Sequence, residues 1–268
     1  MIDSHCHLTY PGLREIVGDV LGKARELLDA VVTCGLPFDR EKRHGFPGAE
    51  EALSLARVYR GFVFATLGLH PTQVREMTDD EIDSYLEFVE ERSGEIVGIG
   101  EVGLDRFWIK DEEEHRRARN VFAKFLELAE KLRKPVVVHS REAEEEVVDM
   151  LASYSLKGVL MHSYTGNMTV AKKALDRGYL FSVNYRVTNT KTMRKIAKNF
   201  PLEAILVETD APFLSPSGGV NTPLTVQLVI QEVAKLRGLP VSEVDRATTQ
   251  NAVRFFSLEG KIARWHQA

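Results

Sequence analysis

The chain of 268 residues holds only two cysteines, Cys6 and Cys34. Two thiols exclude a disulfide framework and suit a reducing, cytosolic compartment, with small buried side chains at strand ends as their expected role. No sign of charge dominates, since 35 Lys and Arg stand against 39 Asp and Glu, for a net charge of −4. That excludes a basic field that would coat nucleic acid, though not a local grip on a few phosphates. No apolar run approaches membrane-spanning length. The opening Met-Ile-Asp-Ser-His lacks the charged-then-apolar plan of a signal peptide. A soluble cytoplasmic protein with no membrane partner is the expectation. Linkers, low-complexity tracts and internal repeats are also missing, so residues 1–268 read as a single domain.

What is present is alternation. Short β-rich apolar runs occur at residues 2–7, 30–35, 61–69, 96–100, 135–139, 158–162, 180–183 and 204–207. Helical patterns separate them at 17–28, 49–58, 80–91, 115–132, 143–151, 169–177 and 190–197, with two more at 223–236 and 242–255. Val121, Phe125, Leu128 and Leu132, spaced by three and four, mark one amphipathic helix. Eight strand–helix pairs over this length predict an α/β fold, a (β/α)₈ TIM barrel. An open doubly wound sheet is the alternative, but no G-x-G-x-x-G follows the first strand.

In such a barrel, reactive groups belong at the C-terminal ends of strands. His5 and His7 alternate onto one face of the first strand, and two neutral imidazoles aimed at one point suit a divalent metal. Asp3 lies on the same face, placed to hydrogen-bond a ligating ring from behind. Further strand ends carry His70 in GLHP, Glu101 in GEVGLD, His139 in VVVHSR, His162 in MHS and Asp210 in ETDAP. His5, His7, Glu101, His139, His162 and Asp210 make six candidate ligands on five strand ends, and buried charge needs a partner such as a metal. Alone, His139 or His162 would read as a core histidine and Asp210 as a helix N-cap. Glu208 reads as a group behind the ligands or as part of a simple ion pair.

Together DSHCHL, GLHP, GEVGLD, PVVVHSR, MHSYTG, ETDAP and TTQNAVRFF, spread from Ile2 to about Leu258, resemble the TatD family of metal-dependent hydrolases, within the amidohydrolase-like superfamily of barrels. The resemblance implies two divalent metal ions. His5 and His7 would hold one with Asp210, His139 and His162 would hold the other, and Glu101 would bridge them. Paired ions can clamp both oxygens of an in-line displacement, and Asp210 is then a candidate acceptor for the proton of the attacking water, so Glu101 and Asp210 are the catalytic candidates. Histidine-rich ligation suits Zn²⁺ or Mn²⁺, whereas carboxylates with a phosphate substrate suit Mg²⁺.

Arg141, two residues after His139, should face the same opening, where its fork matches a phosphate oxygen pair; a surface ion pair with Glu142 or Glu145 is the alternative. His70 is placed to donate to a phosphate, and the family's matching positions lie near the substrate. Asn221 and Pro223 match an Asn-x-Pro motif that borders the family's pocket. Departures occur at Gly218-Gly219-Val220, where many relatives have a basic residue before the Asn, and at Arg106, where an aromatic commonly follows GLD. The charged segment 39–44 reads as a solvated loop.

The implied activity is phosphodiester hydrolysis of DNA, single-stranded or at 3′ ends, as a 3′–5′ exonuclease. An ester or amide substrate such as a D-aminoacyl-tRNA is the alternative; Glu101 in place of a carboxylated lysine argues against the amidase branch. A non-catalytic scaffold would not need all six ligands. Phe255-Phe256 and Trp265 are expected on the barrel base rather than on a second subunit, giving a monomer or weak oligomer.

Overall fold

The computed structural model describes residues 1–38 and 45–263; the charged segment 39–44 and Trp265 lie outside the described residues. Among the described residues eight parallel strands follow one another in chain order: β1 (Ile2–Cys6), β2 (Ala30–Gly35), β3 (Val63–Leu67), β4 (Ile96–Asp105), β5 (Val136–Arg141), β6 (Val159–Met161), β7 (Leu180–Val183) and β8 (Ile205–Val207). Between them run α1 (Val17–Leu27), α2 (Pro47–Val58), α3 (Asp79–Glu91), α4 (Glu112–Leu132), α5 (Glu144–Leu151), α6 (Met168–Asp176) and α7 (Lys191–Asn199). After β8 come α8 (Val226–Arg237) and α9 (Val241–Phe256). The alternation expected of a (β/α)₈ barrel is the architecture found.

The strand β8 returns beside β1, and this seam is closed largely by side chains. The Ser4 hydroxyl donates to the Val207 carbonyl at 2.8 Å, and the Asp210 amide donates to the His5 carbonyl at 3.0 Å. Asp3 does not reach a histidine ring. Its carboxylate accepts from the Thr209 amide at 2.9 Å and the Thr209 hydroxyl at 2.6 Å. Burial pushes the Asp3 carboxyl up to about 8 against those bonds. The expectation of a bond to a ring fails because the seam offers two donors at contact distance.

Where element ends differ from the sequence pattern, the reasons are local. β4 runs five residues past the predicted end at 100, through Asp105, with a register shift between Ile99 and Val102. Its glycines read as a turn but permit close approach to β5. A Cβ on Gly100 would stand 2.6 Å from the Val137 carbonyl oxygen, and one on Gly103 would stand 2.0 Å from that of His139. The helix α4 starts three residues early because Asp111 caps it, accepting from the Glu113 and Glu114 amides at 2.9 Å each.

The periodic face of α4 packs Val121, Phe122, Phe125 and Leu128 against the barrel wall. Burying each such side chain stabilises the fold by about 1.5–3 kcal/mol. A second apolar cluster closes the barrel base, where Phe255, Phe256 and Leu258 meet Ile2, Val32, Val137 and Leu206. The expected seat of Phe255-Phe256 is thus found. No helix among the described residues is long and apolar enough to cross a membrane.

Asn251, inside TTQNAVRFF, fixes α9 to β8: its amide donates to the Leu202 carbonyl at 2.8 Å and the Ile205 carbonyl at 2.7 Å. Asn251→Leu leaves both buried acceptors unpaired and should lower unfolding free energy by about 1–3 kcal/mol in urea titrations. An unchanged midpoint would contradict the anchoring role.

Candidate metal centre

The six candidate ligands converge at the C-terminal mouth of the barrel, as strand-end placement predicts. His5, His7, Glu101 and His162 are buried, while His139 and Asp210 are half-buried and face a cavity of about 510 Å³. His5 sits on β1 and His7 just past its end, yet their Nε2 atoms lie 3.2 Å apart with the rings edge to face. Asp210 adopts φ +55°, a left-handed turn that Asp tolerates. The turn brings its Oδ1 to 3.5 Å from His7 Nε2 and 3.9 Å from His5 Nε2.

Glu101 lies at the centre, and its two oxygens face different partners. Oε2 stands 3.5 Å from His5 Nε2 and 3.6 Å from His7 Nε2. Oε1 stands 2.8 Å from His139 Nδ1, 3.6 Å from His162 Nε2 and 3.7 Å from His70 Nε2. Burial disfavours the Glu101 charge, but His162, His70 and His139 hold its carboxyl well below the usual range. The donor atoms of His5, His7 and Asp210 lie within 4.8 Å of one another, as do those of His5, Glu101 and His162.

Carboxylates that the sequence reading left out orient the rings from behind. Glu208 Oε2 bonds His162 Nδ1 at 2.9 Å, and its other oxygen accepts from the Asn184 amide at 2.9 Å. Burial opposes charge on His162, yet the Glu208 and Glu101 carboxylates push it up to about 10. Asp105 Oδ2 bonds His139 Nε2 at 2.9 Å, leaving Nδ1 to face Glu101. Carboxylates behind ligating histidines fix ring orientation and raise basicity, which is the usual support for a metal. Cys34 Sγ accepts from the Glu101 amide at 2.9 Å, and it lies within reach of His7 and Glu101 as a third donor. Five acids, Asp3, Glu101, Asp105, Glu208 and Asp210, thus gather with five imidazoles where water is largely excluded. A divalent cation balances such a donor set better than the histidines alone.

The remaining candidates separate. His70 lines the cavity, with Nδ1 2.7 Å from the Thr72 hydroxyl and Nε2 3.3 Å from His139 Nδ1; burial, then His139, pushes it down to about 3. Arg141 also lines the cavity, its guanidinium 3.7 Å above the Phe107 ring, while Glu142 pairs with Lys110 instead. Asn221 does not line it. Its amide donates to the Thr209 carbonyl at 3.1 Å, and its Oδ1 accepts from the Thr222 amide at 2.9 Å and the Thr225 hydroxyl at 2.8 Å. Those bonds consume the side chain in bracing the turn that carries Asp210, so substrate contact is not its place. Arg106 turns to Glu112 at 2.5 Å.

Asp105 was legible as a polar residue after GEVGL, but not as a partner of His139, because β4 was expected to end at 100. Asn184, at the end of β7, carried no signal of its own beyond its strand-end position.

Comparison with known proteins follows this geometry. The TatD related DNase family matches residues 2–257. The chain is 32% identical over 266 residues to human "Deoxyribonuclease TATDN3", covering 96% of this chain and 94% of that protein. It is 33% identical over 256 residues to "Uncharacterized metal-dependent hydrolase MJ1582" of Methanocaldococcus jannaschii, covering 95% and 96%. The solved structure of YJJV, a TatD homologue from Escherichia coli K12, superposes with a TM-score of 0.84 at 26% identity, covering 96% of this chain and 98% of that one.

Glu208→Ala, with helix content retained, should weaken metal binding by about 10- to 100-fold when metal-free protein is titrated against a competing chelator. Wild-type affinity in that titration would remove Glu208 from the support of the site.

Proposed function

This chain belongs to the TatD-related family of metal-dependent hydrolases, and from that premise we propose that it hydrolyses phosphodiester bonds of DNA from the 3′ end at a two-metal centre. The observation that carries this reading is the divided carboxylate of Glu101, one oxygen toward His5 and His7 and the other toward His139 and His162. His5, His7 and Asp210 would hold one ion, His139 and His162 the other, with Glu101 between them. Mg²⁺, Mn²⁺ and Zn²⁺ are the candidate ions. When bound, the ions supply Lewis acidity and neutralise charge on the reacting phosphate.

The chain's own groups then have distinct tasks. Asp210, half-buried with its Oδ1 beside the histidines, takes the proton of the attacking water. The water oxygen bonds to phosphorus, the P–O3′ bond breaks, and that proton returns to the departing 3′ oxygen. The products are a 5′-mononucleotide and a new 3′ hydroxyl. Arg141 presents the edge of its guanidinium to the cavity, since its face lies on Phe107. That edge suits a non-bridging phosphate pair. His70, held near neutral, donates one hydrogen bond to the same phosphate.

With 3′-labelled single-stranded DNA and Mg²⁺, Mn²⁺ or Zn²⁺ supplied in turn, wild type should release mononucleotides and Glu101→Ala should release none. Near-wild-type turnover by Glu101→Ala would remove the bridging role. Silence with every ion, from protein carrying two metals per chain, would turn the assignment to ester substrates such as aminoacyl-tRNA. Arg141→Ala should raise KM about tenfold or more while metal content stays at the wild-type level. Loss of metal in that variant would contradict a phosphate role.

A further inference from the structure

Large apolar side chains left in water need a reason, and several on this barrel border the candidate metal centre. Trp108 is 58% exposed and Phe213 40% exposed, and both line the cavity that holds the histidines. Trp108 follows β4 and Phe213 follows β8. Strands four apart in an eight-stranded barrel lie across its axis, so the two rings stand on opposite sides of the mouth.

Neither ring sits on a loose loop. The Trp108 amide donates to Asp105 Oδ1 at 2.8 Å, and Asp105 Oδ2 is the group that bonds His139. The Ile109 amide donates to the Asp105 carbonyl at 3.1 Å, and the Arg106 amide to the Arg141 carbonyl at 2.8 Å. Opposite, the Phe213 amide donates to the Asp210 carbonyl at 2.9 Å. Each ring is therefore tied through one residue to the cluster that holds Glu101. Each is also flanked by a second planar group. The Arg141 guanidinium lies 5.8 Å from the Trp108 ring, and Tyr10 packs on Phe213 at 4.9 Å between centroids.

Planar groups held at fixed distance on both sides of a phosphate-sized centre match the repeat of a nucleic acid strand, in which each phosphate is flanked by two bases. Bases stack on aromatic and guanidinium planes whatever their sequence. We propose that Trp108 and Phe213 are two nucleobase subsites, one for the base on each side of the scissile phosphate. This rests on the phosphodiester reading of the centre. It assigns substrate binding to residues outside the metal ligands, and it makes the site a reader of two consecutive unpaired bases.

The test compares wild type, Trp108→Ala, Trp108→Phe and Phe213→Ala on short oligothymidylates. In one set the bases are intact, and in two others the terminal or the penultimate nucleotide is abasic. Metal content is measured on every variant, because Phe213 also touches the His7 ring at 5.8 Å. Loss of one stacking partner should raise KM by about 5- to 150-fold with kcat little changed, and Trp108→Phe should restore most of the loss. Each alanine penalty should vanish when one particular base is missing, a different base for each variant. Equal KM for wild type and both alanine variants, or the same penalty with and without the base, would overturn the inference while leaving phosphodiester hydrolysis in place. A wild type that releases nothing from any oligonucleotide would overturn both.

Discussion

A carboxylate with its charge buried at the axis of a barrel is unstable unless something on each side answers it, and Glu101 is that carboxylate. Its side chain is 3% exposed, and its two oxygens are met by imidazole nitrogens from β1, β5 and β6. The backbone that delivers it is arranged for this end. β4 extends through Asp105, and Gly100 and Gly103 let it run against β5 where any side chain would strike a carbonyl. The Glu101 amide is satisfied sideways by Cys34 Sγ on β2 rather than left unpaired. Coulomb interactions at these separations are strong in a low-dielectric interior. Small displacements of β4 would therefore be felt by every ring around it.

Around that centre the protein repeats one device, a carboxylate placed behind an imidazole. Glu208 serves His162 and Asp105 serves His139. Each of these acids has a second oxygen, and each uses it to tie in another element: Asn184 at the end of β7 for Glu208, the Trp108 amide for Asp105. Asp3 extends the pattern to the barrel seam, where it holds Thr209 instead of a ring. Metal ligation, barrel closure and loop placement thus share the same set of buried acids. Removing one acid disturbs more than the ring it touches.

How much of this was legible in the sequence depends on the range over which each residue acts. His5, His7, Glu101, His139, His162 and Asp210 could be read because each is a polar interruption at the end of an apolar strand. The barrel rule then gathers strand ends without knowledge of any contact. The strands themselves could be read from period and composition, except where glycine punctuated β4 and hid five of its residues. Partners set by tertiary contact were out of reach. Asp3 finds Thr209 across 206 residues, and Asn184 finds Glu208 across 24. Nothing local in either pair distinguishes a bonded side chain from a solvated one. Asn221 misled for the opposite reason. Its motif placed it correctly beside the pocket, but its hydrogen bonds are spent on Thr209, Thr222 and Thr225.

The coupling through Asp105 has a consequence for how the mouth of the barrel can behave. A loop carrying a solvent-exposed tryptophan would ordinarily sample many conformations, because exposed apolar surface gains nothing from one position. Here the first residues of that loop share a carboxylate with His139, while Arg106 and Arg141 join it to β5. Ordering the metal side therefore orders the aromatic side at no further entropic cost, since the same bonds do both. Phe213 repeats the arrangement through the turn at Asp210. A ligand meeting these rings finds them already held, and pre-organisation of this kind converts contact area into affinity more efficiently than a mobile loop does. The chemistry at the centre and the recognition at its rim are then one rigid unit. It is built outward from Glu101 through its histidines to the acids behind them, and from those acids to the rings at the mouth.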